Sequence, residues 1–318
     1  MAILVVGSVA LDTVYTPFDH AEHVLGGAAS YFTAAASFYD RVNLVAVVGE
    51  DFPAPYLDFL RSRNADLTGL RVVSGKTFQW GGRYAMDLND RETLYTELGV
   101  FADFHPTVPE DCRRSPIVFL ANIQPGLQLE VLEQTSGPAG DSGSRLHALD
   151  TMNLWIETAR DALTEVIRRV DIVLMAEEEA REYAGTPSLR AAARHILGLG
   201  PSLLVIKQGS YGALLLGADG SYFAAPAYPL EDVCDPTGAG DAFAGGFLGS
   251  LAGQLAAGNT LTPGDFRRAL IHGNIMGSFT CEDFSINRLR TLSPEEIAAR
   301  YTEFVGFTHF EGSWHDGH

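Results

Sequence analysis

Apolar and polar positions along this chain alternate with two different periods, and the switches between them outline an architecture. Residues 3–9, "ILVVGSV", form a β-branched run of the kind buried on both faces of a sheet. "LGGAASYFTAAASFYD" follows, a glycine pair leading into an alanine-rich helical stretch, then a second buried run, "VNLVAVVGED", and an amphipathic helix at "PYLDFLRSR". Later, "IVFLAN", "LHALDTMN", "DIVLMAEEE" and "LLVIKQG" read as strands, with helices expected at about 126–134, 155–169, 177–184 and 188–198. "ALLLGADGSYFAA" reads as a hairpin turning at Asp219-Gly220, and two further helices are expected at about 263–279 and 294–304. Alternating strands and helices predict an α/β domain whose central sheet is mostly parallel and covered on both faces.

Residues 72–100 break this rhythm. Their period is two, they are rich in aromatics and threonine, and turn signals stand at Gly81-Gly82 and Asn89-Asp90. Antiparallel hairpins outside the main sheet are expected here, joined by residues 11–25 into a small sheet that acts as a lid or as a homodimer interface. "TSGPAGDSGSR", 135–145, reads as a mobile surface insertion, and 306–318 as a disordered tail after a domain of residues 1–305.

Composition narrows the function. A net charge of −18 disfavours a nucleic-acid footprint, which needs clustered basic residues. Cys112, Cys234 and Cys281 show no metal or disulfide spacing, no apolar run is long enough for a membrane span, and the N-terminus is a poor signal peptide. A cytoplasmic protein is expected. Lys76 and Lys207 are the only lysines, which singles out Lys207 inside an apolar run.

The chemistry concentrates in "DPTGAGDAFAGGFLG", residues 235–249. Asp235-Pro236 suits a turn, and Thr237 is placed to cap a helix starting near Gly238. Gly238 and Gly240 let backbone N–H groups approach an oxyanion at a helix N-terminus, where free donors and the dipole favour negative charge. Asp241, in the first turn, can accept a proton beside that anion, as phosphoryl transfer requires. A tightly packed, capped helix start would carry the same residues. The Walker-type G-x-x-x-x-G-K-[ST] is absent, and a dinucleotide G-x-G-x-x-G fails at Phe243.

This stretch resembles the C-terminal signature of the ribokinase-like (pfkB-type) carbohydrate kinases, which include sugar, adenosine and inositol kinases. "LGGAASYFTAAASF", followed by "VVGEDF", resembles the family's N-terminal signature, and the order of parts agrees over roughly residues 1–290. The resemblance implies a ribokinase-like three-layer fold with a small β lid. It also implies an ATP-dependent transfer of the γ-phosphoryl group to a hydroxyl of a small polyhydroxy molecule. Asp241 would be the base, and the amides of Gly238, Ala239 and Gly240 the anion hole. Asp12, Gly26, Gly27 and Ser30 would meet the substrate, Ser30 standing where many members carry Asn. Lys207, Gly209, Gly212, Thr237 and Asn274 would line the ATP site.

The family's Asn-x-x-Glu appears as "AEEE", 176–179, so Glu179 would handle Mg²⁺ through water; the alternative is that Glu178 and Glu179 are a solvated helix start. Asp235 and "CEDFS" mark where a potassium ion would sit, and Asp150 and Asn153 would face the same crevice. A sugar is the default acceptor. A nucleoside stacked on Phe78, Trp80 or Tyr84 and an inositol-like cyclitol are the alternatives. A non-catalytic metabolite-binding protein is the rival class, disfavoured by an intact Asp241 motif.

Overall fold

A computed structural model describes residues 2–135 and 145–309. The first half contains β1 (Ala2–Val6), β2 (Ala10–Tyr15), β3 (His20–Gly26), α1 (Ala28–Ala36), β4 (Arg41–Gly49), α2 (Ala54–Ser62), β5 (Ala65–Val73), β6 (Phe78–Tyr84), β7 (Arg91–Glu97), β8 (Ile117–Leu120) and α3 (Pro125–Thr135). The second contains β9 (Leu146–Asp150), α4 (Asn153–Thr158), α5 (Arg160–Arg169), β10 (Ile172–Ala176), α6 (Glu177–Ala184), α7 (Leu189–Leu197), β11 (Leu203–Lys207), β12 (Ala213–Gly217) and β13 (Tyr222–Ala225). It closes with α8 (Ala239–Ala256), α9 (Pro263–Thr280), α10 (Asn287–Thr291) and α11 (Pro294–Thr308).

Nine strands form the main sheet in the order β13-β12-β11-β10-β9-β8-β1-β4-β5. From β5 to β11 every pairing is parallel; β12 and β13 add an antiparallel hairpin at one edge. Alternation divides the strand residues between two cores. Ile3, Val5, Leu44 and Ala46 join the core that contains α1, α8 and α9, while Leu4, Val6, Val45 and Val47 join the core that contains α3, α5 and α7. Helix α8 runs between α1 and α9. A Cβ on Gly245 would lie 2.7 Å from the Phe32 carbonyl, and one on Gly246 would lie 2.5 Å from that of His272. The glycines therefore set how closely three helix backbones approach.

A second sheet, β3-β2-β6-β7, stands apart. Its outer pairs are antiparallel, as expected, but β2 and β6 at its centre are parallel.

Several boundaries differ from the sequence expectations. Val72 and Val73 end β5, a main-sheet edge strand with weak alternation, instead of opening the hairpins. Gly81-Gly82 lies inside β6 at a bulge, not at a turn. A Cβ on Gly81 would lie 2.3 Å from the Tyr95 ring and one on Gly82 2.1 Å from the Trp80 ring. The two glycines thus lie beneath aromatic rings, an arrangement their turn-like spelling conceals. The first strand ends at Val6, the stretch 155–169 is split into α4 and α5, and α11 continues to Thr308, past the expected domain end. Most of the expected insertion, 136–144, and the tail from 310 lie outside the described residues.

Candidate active site

The C-terminal end of β1 and the start of α8 meet beneath the second sheet. Ser8 follows β1 and holds the N-terminus of α1: its hydroxyl accepts from Ala28 N–H at 3.1 Å, its carbonyl from Ala29 N–H at 3.0 Å. Gly27 caps that helix at φ 89°, and a Cβ there would lie 2.6 Å from the Ser8 carbonyl oxygen. Only glycine meets both conditions. Asp12, on β2, lays its buried carboxylate against Gly26 and accepts a hydrogen bond from the Gly27 amide. Burial pushes the Asp12 carboxyl up to about 7, the Gly27 bond opposes this, and the nearby charges of Asp235 and Asp241 raise it further.

Asp241 stands in the first turn of α8, where burial and the Asp150 charge push its carboxyl up to about 7 against Lys207 and Arg91. Gly238, not Thr237, is the N-cap, in the left-handed region at φ 77°. The Thr237 side chain is instead 3.1 Å from the Tyr84 hydroxyl on β6, and its N–H donates to Asp235 Oδ1 at 2.8 Å. The Ala239 amide donates to the Pro236 carbonyl at 3.1 Å, so the turn itself uses one of the three amides expected in the anion hole. Gly238 and Gly240 bring the other two.

Lys207, at the end of β11, closes the opposite side. Its Nζ is 2.6 Å from Asp150 Oδ2, and a Cβ on Gly240 would lie 3.3 Å from Nζ. Burial works against the ammonium charge, but Asp150 and Glu179 outweigh it and keep Lys207 protonated. Glu179 accepts from the Ala176 amide at 2.8 Å, capping its own helix, and burial pushes it up to about 7. Among the described residues no three His, Cys, Asp or Glu side chains gather into a metal site. Asp235 is fully buried, and its Oδ2 has no partner among the described residues. The Cys234 amide beside it donates to the Cys281 carbonyl at 2.8 Å, which brings the 281–285 loop alongside.

Other expected residues lie further out. Gly209 opens the short turn after β11 at φ 55°, and Gly212 closes it at φ 99°. Asn274, on α9, donates to the Pro226 carbonyl at 3.2 Å. Ser30 is wholly buried in α1 with its hydroxyl unpartnered among the described residues. Asn153 is exposed at the start of α4, and Glu178 is exposed in the first turn of α6. Phe78 is engaged in stacking on Phe101 at 5.5 Å, whereas Trp80 and Tyr84 face inward with Val14 and Phe284.

Two site residues escaped the sequence reading. Tyr31 is buried, its hydroxyl has no partner among the described residues, and a Cβ on Gly238 would lie 2.4 Å from its ring. It sits within "GGAASY", where its aromatic character reads as ordinary core. Arg91, on β7, places its charge near Asp12 and Asp241, and only strand register brings it there.

Residues 3–288 match the sequence profile of the pfkB family carbohydrate kinases. The chain belongs to that family. It is 34% identical over 253 residues to a cytidine kinase of Thermococcus kodakarensis, covering 77% of this chain and 87% of the relative. Among solved structures it is similar to ribokinase from Giardia lamblia, with TM-score 0.78 and 19% identity over 95% of this chain and 98% of the other. It is also similar to a Burkholderia thailandensis nucleoside kinase in complex with inosine, with TM-score 0.74 and 21% identity over 96% and 98%. The fold is therefore ribokinase-like, and this pfkB-family member is a phosphotransferase with a hydroxyl acceptor, as its sequence signatures imply. No helix among its described residues is long and apolar enough to cross a membrane.

Proposed function

We propose that this kinase transfers the γ-phosphoryl group of ATP to a hydroxyl on the pentose of a nucleoside, with a free sugar as the second reading. The observation that carries the proposal is the convergence of Asp12 and Asp241, from opposite ends of the chain, beneath a sheet that presents Trp80 and Tyr84. The relative named for cytidine supports a nucleoside over the free sugar that the motifs alone favour.

Asp12 is acceptor-only once ionised and orients the substrate by taking hydrogen bonds from its hydroxyls. Asp241 takes the proton of the attacking hydroxyl. The free amides at the start of α8 and the Lys207 ammonium balance charge on the transferring phosphoryl oxygens. Gly209, Gly212, Thr237 and Asn274 border the nucleotide. Glu179 would hold magnesium through water, and the ion would supply neutralisation of the ATP phosphates. The second sheet closes over the acceptor, tied to the anion-hole turn through Tyr84 and Thr237.

Asp241→Asn tests the assignment of the base: turnover should fall at least about a thousandfold while ATP binding is retained. Turnover close to wild type in that variant would remove Asp241 from the mechanism. The unpartnered Oδ2 of Asp235 fits a monovalent cation. Replacing potassium chloride by choline chloride at equal ionic strength should therefore lower turnover, and an unchanged rate counts against that ion.

A further inference from the structure

Strand register places an arginine at the acceptor end of the crevice. Arg91 of β7 stands directly opposite Tyr84 of β6, and Asp12 of β2 is in register with Trp80 of β6. Residues in register, and those two apart along a strand, share a face of the sheet. Asp12, Trp80, Tyr84 and Arg91 therefore look the same way, toward the anion-hole turn that Tyr84 touches through Thr237. The Arg91 guanidinium lies 5.1 Å from the Trp80 ring centroid. No carboxylate comes within ion-pair distance of it among the described residues, although its charge is felt at both Asp12 and Asp241. Lys207, at the donor end, is by contrast locked to Asp150.

The acceptor end thus offers two complementary demands. Carboxylates there accept hydrogen bonds from hydroxyls, and the exposed Arg91 guanidinium, which contacts the Tyr84 hydroxyl and the Trp80 face, keeps further N–H donors for an acceptor oxygen of the ligand. The flat indole beside it suits a planar ring. The acidic groups Asp12 and Asp241, both within reach of the Arg91 charge, favour a neutral oxo group over an anionic one as the acceptor. Resting on the nucleoside reading above, we propose that Arg91 is a specificity-determining residue of this kinase, donating to the carbonyl oxygen of a pyrimidine base that lies against Trp80.

The test measures kcat and KM for cytidine, uridine, adenosine, ribose and ribose 1-phosphate with the wild type, Arg91→Gln and Arg91→Lys, each checked for folding by thermal melting. Wild type should prefer cytidine and uridine to adenosine. Arg91→Gln should raise KM for the two pyrimidine nucleosides by about 10- to 100-fold, the range for a charge-assisted hydrogen bond, and less for adenosine. Arg91→Lys, which keeps charge but not the planar fork, should fall between. Cytidine turnover with undiminished pyrimidine preference in both variants would overturn this inference alone. So would a loss shared equally by every acceptor, or a wild-type preference for ribose 1-phosphate that Arg91→Gln abolishes. Wild-type turnover confined to free sugars would overturn the nucleoside reading and the inference together.

Discussion

Asp241 and Asp12 each hold a carboxyl that burial raises to about 7, and this has a kinetic consequence. A base must be ionised to accept a proton, so kcat/KM should fall as pH drops below about 7. If Asp241 alone must be ionised, the fall is about tenfold per pH unit. If Asp12 must be ionised as well, the slope doubles below both values. A profile flat from pH 5 to 8 would contradict the assignment. The role proposed for Asp241 was readable because its motif is contiguous and lies at a helix start. Tyr31 and Arg91 were not, because their roles depend on a ring lying under Gly238 and on a partner strand's register, and neither leaves a local pattern.

Among the elements, β9 and β11 meet the crevice through one buried ion pair, Asp150 with Lys207. Removing one partner from such a pair strands the other charge. Lys207→Met should cost about 3–5 kcal/mol by denaturant unfolding, less whatever Asp150 recovers by taking a proton. The double variant Lys207→Met with Asp150→Asn should recover most of that stability without recovering activity. Additive losses in the double variant would show that the two residues do not depend on each other. Elements written as long apolar runs, such as β4 and α8, were legible in the chain. Those that failed did so for separate reasons: β5 is an edge strand whose residues are half-buried or exposed, so its alternation is weak, and the Gly81-Gly82 pair in β6 is covered by rings instead of opening a turn.

The whole molecule gathers several acidic groups into one crevice, and their cost should appear in its stability. Asp12, Asp241 and Glu179 have folded-state values near 7, well above the usual carboxylate range. Between about pH 4 and 7 the folded protein therefore holds protons that the unfolded chain has lost, and stability drains away as pH rises through that window. The ligand-free protein should melt at higher temperature at pH 5 than at pH 7.5, and Asp12→Asn should reduce the difference by on the order of a few degrees. A melting temperature that rises steadily from pH 5 to 7.5, and does so equally in Asp12→Asn, would contradict this account. By itself, the sequence determined the alternating α/β architecture, the kinase family and the glycine-rich start of α8, because each is written in periodicity or in contiguous residues that act locally. Tertiary structure decided which side chains share the crevice: Asp12 with Asp241, Lys207 with Asp150, and Arg91 with Tyr84. The first two pairings join residues tens to hundreds of positions apart and the third spans the β6–β7 hairpin, and strand order and register, not any local spacing, bring them together.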